Sequence, residues 1–207
     1  QRAGLPEDSE CVIVPSPFHH AQSAQLIVPL QAVEGNQAEL HTQSLVTFMH
    51  DSVDMKEATL VLFSSRRQML EVYQSVSREF RSAILLQDDY SKQQLLQLHR
   101  ERIDKKDASV IFGLASFAEG VDLPGDYLRH VVIAKIPFAP PDNPVDQTLS
   151  EWIEAQGGNA FMQISVAEAS LRLVQASGRL LRTETDTGRI TILDRRLVTK
   201  RYGRALL

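Results

Sequence analysis

The sequence has 207 residues, of which 43% are hydrophobic and 23% charged, enough chain for one α/β domain with an appendage and too little for two domains at about 150 residues each. That balance excludes a disordered, collagen-like or heptad-repeat chain, and apolar runs as short as residues 60–63 and 131–134 exclude a membrane-spanning helix of roughly 18 residues. The net charge of −4 hides an asymmetry: from Arg172 onward nine basic residues meet three acidic ones, so the last 36 residues carry +6 and the rest −10, and a basic end on an acidic body suits an anionic partner.

The chain opens Gln1-Arg-Ala-Gly with no initiator Met, basic n-region or apolar h-region, so no secretory signal is expected and the start reads as that of a fragment. Cys11 is the only cysteine. A lone thiol excludes an intrachain disulfide or a thiolate-rich metal site and fits a reducing compartment, with the cytoplasm as the expected location. Residues 11–14 and 24–28 read as strands separated by Pro15-Ser-Pro-Phe18 with no helix between them. Residues 1–40 are therefore expected to form an extended linker arm with lead-in strands, and 41–207 the domain itself.

From there, short aliphatic runs alternate with amphipathic segments. Residues 58–63 predict a buried strand, followed by one helix whose Met69, Val72, Tyr73, Val76 and Phe80 recur at three- and four-residue spacing. Residues 82–86 are the next strand, and Ser91 is the expected N-cap of a helix to about Ile103 with Leu95, Leu96, Leu98 and Ile103 facing inward. Residues 109–112, 130–134 and 189–194 are further strands, the last preceded by a long helix over about 166–181. The proline-rich stretch 136–144 forbids helix and reads as a loop, leading to a helix near 145–156. Five strands interleaved with helices predict an α/β, three-layer fold with a mostly parallel sheet, RecA-like or Rossmann-like.

Three segments offer chemistry. In Gln175-Ala-Ser-Gly178-Arg179-Leu-Leu-Arg182, helical spacing puts Gln175, Arg179 and Arg182 on one face. Such a guanidinium face beside a glycine suits a polyphosphate, because each Arg can donate paired, charge-assisted bonds to phosphoryl oxygens. The alternative is a surface helix whose arginines pair with Glu184 or Asp186. In Ser116-Phe-Ala-Glu119-Gly120-Val-Asp122-Leu-Pro-Gly125, directly after a strand, Gly120 and Asp122 offer close backbone approach and a carboxylate where open α/β sheets bind ligands; the alternative is an ordinary turn. Ser64-Ser65-Arg66-Arg67 combines hydroxyls, free helix amides and two cations for a nucleic-acid phosphate, or simply caps a helix. There is no Gly-x-x-x-x-Gly-Lys-Ser/Thr, no Gly-x-Gly-x-x-Gly, no Gly-x-Ser-x-Gly and no His-Glu-x-x-His, and the six histidines lack metal-ligand spacing.

Taken in order at successive strand ends, these segments resemble motifs IV, V and VI of the second motor domain of superfamily 2 helicases, in the form found in the XPD/DinG branch. Lys135-Ile-Pro-Phe-Ala-Pro-Pro-Asp-Asn-Pro-Val145, Glu151-Trp152 and the stretch 193–203 are also similar to the bacterial DinG group. The resemblance implies a RecA-like C-terminal motor domain of an ATP-dependent 5′ to 3′ DNA helicase in DNA repair or replication. By it, Arg179 and Arg182 would be arginine fingers, Gln175 would orient phosphates, and Glu119, Gly120, Asp122 and Gly178 would line the nucleotide side. Ser64, Ser65, Arg66, Arg67 and Ser116 would meet single-stranded DNA. The implied partners are that DNA and the N-terminal motor domain, with no membrane. ATP and Mg²⁺ would be shared with that other half, which alone would carry any iron–sulfur cluster, and this chain alone is expected to be inactive. The rival expectations are a non-catalytic nucleic-acid- or protein-binding module with a RecA-like fold, and an unrelated nucleotide-binding α/β enzyme, which would need its own phosphate loop.

Overall fold

The computed structural model describes Val12 and residues 20–139 and 144–206. The expected strand at 11–14, Cys11 and the Pro15–Phe18 linker therefore lie, Val12 apart, outside the described residues. A six-stranded sheet in the order β1-β6-β5-β2-β4-β3 organises the domain, and every pairing in it is parallel. The strands are β1 (Ala24–Ile27), β2 (Thr59–Phe63), β3 (Ile84–Leu86), β4 (Val110–Leu114), β5 (His130–Ile133) and β6 (Gly188–Ile192). β1 is an edge strand of this sheet, paired with β6 from Ala24 opposite Gly188 to Ile27 opposite Thr191. A short helix, α1 (His20–Ser23), leads directly into it, which corrects the expectation of no helix ahead of this strand.

The central strands read as unbroken apolar runs because both faces are covered. Leu60, Leu62, Ile111, Val131 and Ile133 point into a core closed by α5 (Lys92–Asp104) and α7 (Ala167–Ser177). Val61, Phe63, Val110, Phe112 and Val132 point the other way, against α2 (Ala38–Ser52), α3 (Arg66–Ser75) and α4 (Arg78–Ala83). The predicted α/β three-layer architecture is the observed one. α6 (Pro144–Ala155) and α8 (Arg196–Thr199) complete the α-helices among the described residues.

Three further local expectations are corrected. The single helix after β2 is two, α3 and α4, because Ser77 caps Phe80 N–H at 3.1 Å while the Arg81 guanidinium donates to the carbonyls of Tyr73, Gln74 and Val76, satisfying the end of α3. The next strand accordingly starts at Ile84 rather than Ser82. The long helix before β6 stops at Ser177, with Gly178 as its C-cap. Beyond it, the N–H groups of Arg182 and Thr183 donate to the buried Asp186 carboxylate at 2.7 and 2.8 Å instead of to helix carbonyls. At its other end, α7 continues from a π-helical stretch, Phe161–Val166.

Three histidines are buried as neutral rings. His41 Nε2 donates to Leu193 O at 2.8 Å, and its Nδ1 accepts from Gln68. His99 Nε2 donates to Tyr127 O at 2.8 Å, and its Nδ1 accepts from Ser109. His130 bonds Thr191. Burial pushes His99 down to about 4 and His130 to about 3 from the ordinary 6.5. The unfolded chain then binds protons that the folded one refuses, so stability is full above pH 6.5 and falls as pH drops toward 4. At about pH 5 each of these two rings is expected to cost roughly 2 kcal/mol. Urea midpoints measured from neutral pH to about pH 5 check this, and a flat profile contradicts it.

Candidate functional site

In crossing from β4 to β5 the chain passes from one side of β2 to the other. Connections diverge at such a reversal and leave a crevice at the carboxyl ends of the strands, where open α/β sheets bind ligands. A cavity of about 300 Å³ sits there. Ser64 follows β2, Ser116 and Glu119 follow β4, Lys135 follows β5, and Arg172, Gln175 and Arg179 come from α7 and its exit. A second cavity of about 580 Å³ adjoins it across Ser64 and Lys135, and includes Ser65, Arg67 and Thr42.

The positions singled out in the sequence divide accordingly. Ser64, Ser116, Glu119, Gln175 and Arg179 line the first cavity, and Ser65 and Arg67 the second. The expected shared helix face is not what joins Gln175 to Arg179, since Arg179 lies in the turn after α7. Arg182 lies in neither cavity. Its Nη2 donates to Val121 O and its Nε stands 3.7 Å from Asp122 Oδ1, so the arginine segment is braced against the 116–122 loop. Gly178 is the helix cap, and Gly120 holds φ +70, a left-handed turn that a side chain would strain. Neither Arg179 nor Arg182 pairs with Glu184 or Asp186. Asp186 instead gathers the N–H groups of Gly125, Arg182 and Thr183 and the Thr183 hydroxyl; these outweigh burial and hold its carboxyl below the usual range. Ser65 caps α3 through Gln68 N–H, Arg66 pairs with Asp88 at 3.0 Å, and Arg67 pairs with Glu71 at 2.7 Å.

Three residues escaped the sequence reading. Arg172 stands three before Gln175, a helical period that could have found it. Lys135 follows a strand at the ligand-binding end of the sheet, which was also a usable signal. Lys92 had none: from α5 its Nζ reaches 25 residues onward to the Phe117 carbonyl at 2.8 Å and to the Glu119 carbonyl, 5.1 Å from the Phe117 ring centroid. It clamps the loop that carries Ser116 and Glu119.

The electrostatics are those of a site short of anions. Burial, then the charge of Arg182, lowers the pKa of Arg179, with Glu119 opposing; burial, then Arg179, lowers that of Lys92. Lys135 is lowered by burial and then by Arg196. Arg179 Nε and Arg182 Nε are buried without hydrogen-bond partners. A polyanion in the cavity would stabilise the Arg179 cation and offer its Nε an acceptor. Among the described residues no group of three His, Cys, Asp or Glu is arranged to hold a metal, and no helix is long and apolar enough to cross a membrane.

Comparison with known proteins matches residues 49–207 to the family described as helicase C-terminal domain. The ATP-dependent DNA helicase DinG of Photobacterium profundum is 42% identical over 195 residues, covering 93% of this chain and 28% of that protein. The Escherichia coli protein of the same name is 38% identical over 213 residues, covering all of this chain and 30% of its own length. The chain thus spans less than a third of these relatives. Among solved structures, an XPD helicase aligns with a TM-score of 0.63 at 19% identity over 89% of this chain and 34% of its own. An Xpd4 structure from S. tokodaii gives 0.61 at 14% identity over 93% and 38%. At such identities the likeness is one of fold.

Proposed function

The chain belongs to the helicase C-terminal domain family, and from that premise we propose that it forms the second motor domain of an ATP-dependent, 5′ to 3′ DNA helicase, with the N-terminal motor domain as the other wall of its nucleotide cleft. The observation that carries this reading is the cationic cavity at the switch point, where Gln175 and the unpartnered Arg179 meet the ends of β2, β4 and β5. In phosphoryl transfer, charge spreads over the equatorial oxygens of the transferred group, and guanidinium donors placed there stabilise it. Arg179 would act from the cavity wall as an arginine finger and Gln175 would orient the phosphates. Arg182 would be the second finger, its brace on Val121 and Asp122 linking the nucleotide side to the 119–122 loop, where Glu119, Gly120 and Asp122 respond to DNA. Gly178 ends α7 so that Arg179 can leave the helix axis.

Single-stranded DNA would follow Ser64, Ser65, Arg66, Arg67 and Ser116. The amides that open α3 and the Ser65 cap suit a backbone phosphate, and the acids now paired with the exposed Arg66 and Arg67 are weak competitors for one. Mg²⁺ binding would fall to the N-terminal motor domain, because this cavity offers cations and one carboxylate, Glu119. Any iron–sulfur cluster would need thiolates from elsewhere, since Cys11 stands alone. Cytoplasmic work on DNA repair or replication belongs to the same proposal.

The test is binding of labelled single strands by the 207-residue chain. Affinity is expected to be weak and to fall steeply with salt as counterion release demands. Arg66→Gln with Arg67→Gln is expected to lower it by the same factor for every sequence. Sequence-selective, salt-insensitive binding in fluorescence anisotropy contradicts the reading.

A further inference from the structure

Only part of the +6 end of the chain, Arg172 and Arg179, lies at the cavity. Arg196 is committed to Asp194 at 2.6 Å and Lys200 to Glu34 at 2.9 Å. Arg195, Arg201 and Arg204 are exposed, and among the described residues their side chains form no ion pair or hydrogen bond. Arg201 and Arg204 share the segment Arg201–Ala205 with Tyr202, which belongs to an aromatic cluster in which the ring centroids of Phe161 and Tyr202 are 5.3 Å apart, those of Phe138 and Phe161 5.5 Å, and those of Phe138 and Tyr202 5.7 Å.

The cluster is not closed. Phe138 and Tyr202 are half-buried, but Phe161 is 43% exposed and the adjoining Met162 38%. Phe161 opens the π-helical stretch before α7, a local widening that is rare and often marks functional positions. Pro137, next to Phe138, lines the cation-rich cavity, so this aromatic face lies close beside that site. Packing explains the two half-buried rings and leaves the exposed one unexplained.

An exposed ring backed by other rings, one of which shares a short helical segment with two unpaired arginines, has the chemistry that recognises single-stranded nucleic acid: a face for a base and cations for neighbouring phosphates. Building on the helicase reading above, we propose that Phe161, supported by Phe138 and Tyr202, is a base-stacking platform for single-stranded DNA, with Arg201 and Arg204 holding the adjacent phosphates. The contact is indifferent to sequence, because every base offers a π-face, and it requires bases, which backbone contacts alone do not.

The experiment compares a labelled oligothymidine with an abasic strand of equal length, by anisotropy, on the unsubstituted chain and on Phe161→Leu, Phe161→Tyr and the pair Arg201→Gln with Arg204→Gln. Phe161→Leu keeps apolar bulk and is expected to weaken oligothymidine binding about tenfold while leaving abasic affinity unchanged; Phe161→Tyr restores it. The arginine pair is expected to weaken both strands alike. Unchanged oligothymidine affinity in Phe161→Leu, or equal loss on both strands, overturns the platform while leaving the DNA reading standing. Absence of binding by the unsubstituted chain overturns both.

Discussion

Arg179→Ala in the full-length protein is expected to lower DNA-stimulated ATP turnover by about 10³ to 10⁵, the range for removal of an arginine finger. The side chain lines the switch-point cavity, and its Nε is buried with no partner. It therefore holds no protein structure together, and its loss is expected to leave thermal stability within roughly 0.5 kcal/mol. Arg182→Ala is expected to cost similar turnover by another route as well, since it also frees the 121–122 loop that its guanidinium braces. The two variants separate by stability: Arg182→Ala should lower the melting temperature, Arg179→Ala should not. Steady-state kcat with calorimetry on each variant checks both statements, and full activity in Arg179→Ala removes it from the mechanism.

The second large effect is structural. Asp194 is fully buried and accepts hydrogen bonds from the N–H groups of Gly35, Ile136 and Arg196, at 3.2, 3.2 and 3.1 Å, and from the Arg196 guanidinium. Burial raises its pKa, but these donors, Arg196 first, outweigh it and hold the carboxyl below its ordinary value. One carboxylate thus fastens the segment before α2, the exit of β5 and the exit of β6. Gly35 is required at that junction, because a Cβ there would come within 2.7 Å of Asp194 Oδ2. Asp194→Ala strands the Arg196 charge and three N–H groups, and is expected to destabilise the domain by about 3–5 kcal/mol. Urea unfolding measures this; a loss under about 1 kcal/mol contradicts the assignment. The depressed pKa also makes the Asp194 contribution one that is present above pH 3.8 and lost as pH falls through the lower, folded value.

The sheet was legible because its central strands are covered on both faces and so appear as unbroken aliphatic runs, as in residues 58–63 and 130–134. Helix ends were less so. The break between α3 and α4 rests on Arg81 reaching back to three carbonyls, and the end of α7 on Asp186 capturing two N–H groups across a turn. Both are side-chain captures of backbone that leave the apolar period intact. In the cavity, Ser64, Ser116 and Glu119 were visible as polar residues directly after strands, whereas Lys92 depends on packing between α5 and the 115–120 loop and left no pattern. The π-helical stretch that exposes Phe161 was hidden for the same reason: hydrophobic spacing does not report how the backbone hydrogen bonds are paired.

The decisive measurement is kcat of Arg179→Lys in the full-length protein, at saturating ATP and single-stranded DNA, beside the unsubstituted protein and Arg179→Ala. Lysine keeps the charge but lacks the planar fork that donates two parallel bonds to phosphoryl oxygens. If Arg179 meets the transferring phosphate, turnover of the lysine variant stays within about tenfold of the alanine variant, with the melting temperature unchanged. Turnover close to that of the unsubstituted protein in both the lysine and the alanine variants would mean that neither the fork nor the charge of Arg179 is used, and that the cavity at the switch point is not the catalytic half of a nucleotide cleft.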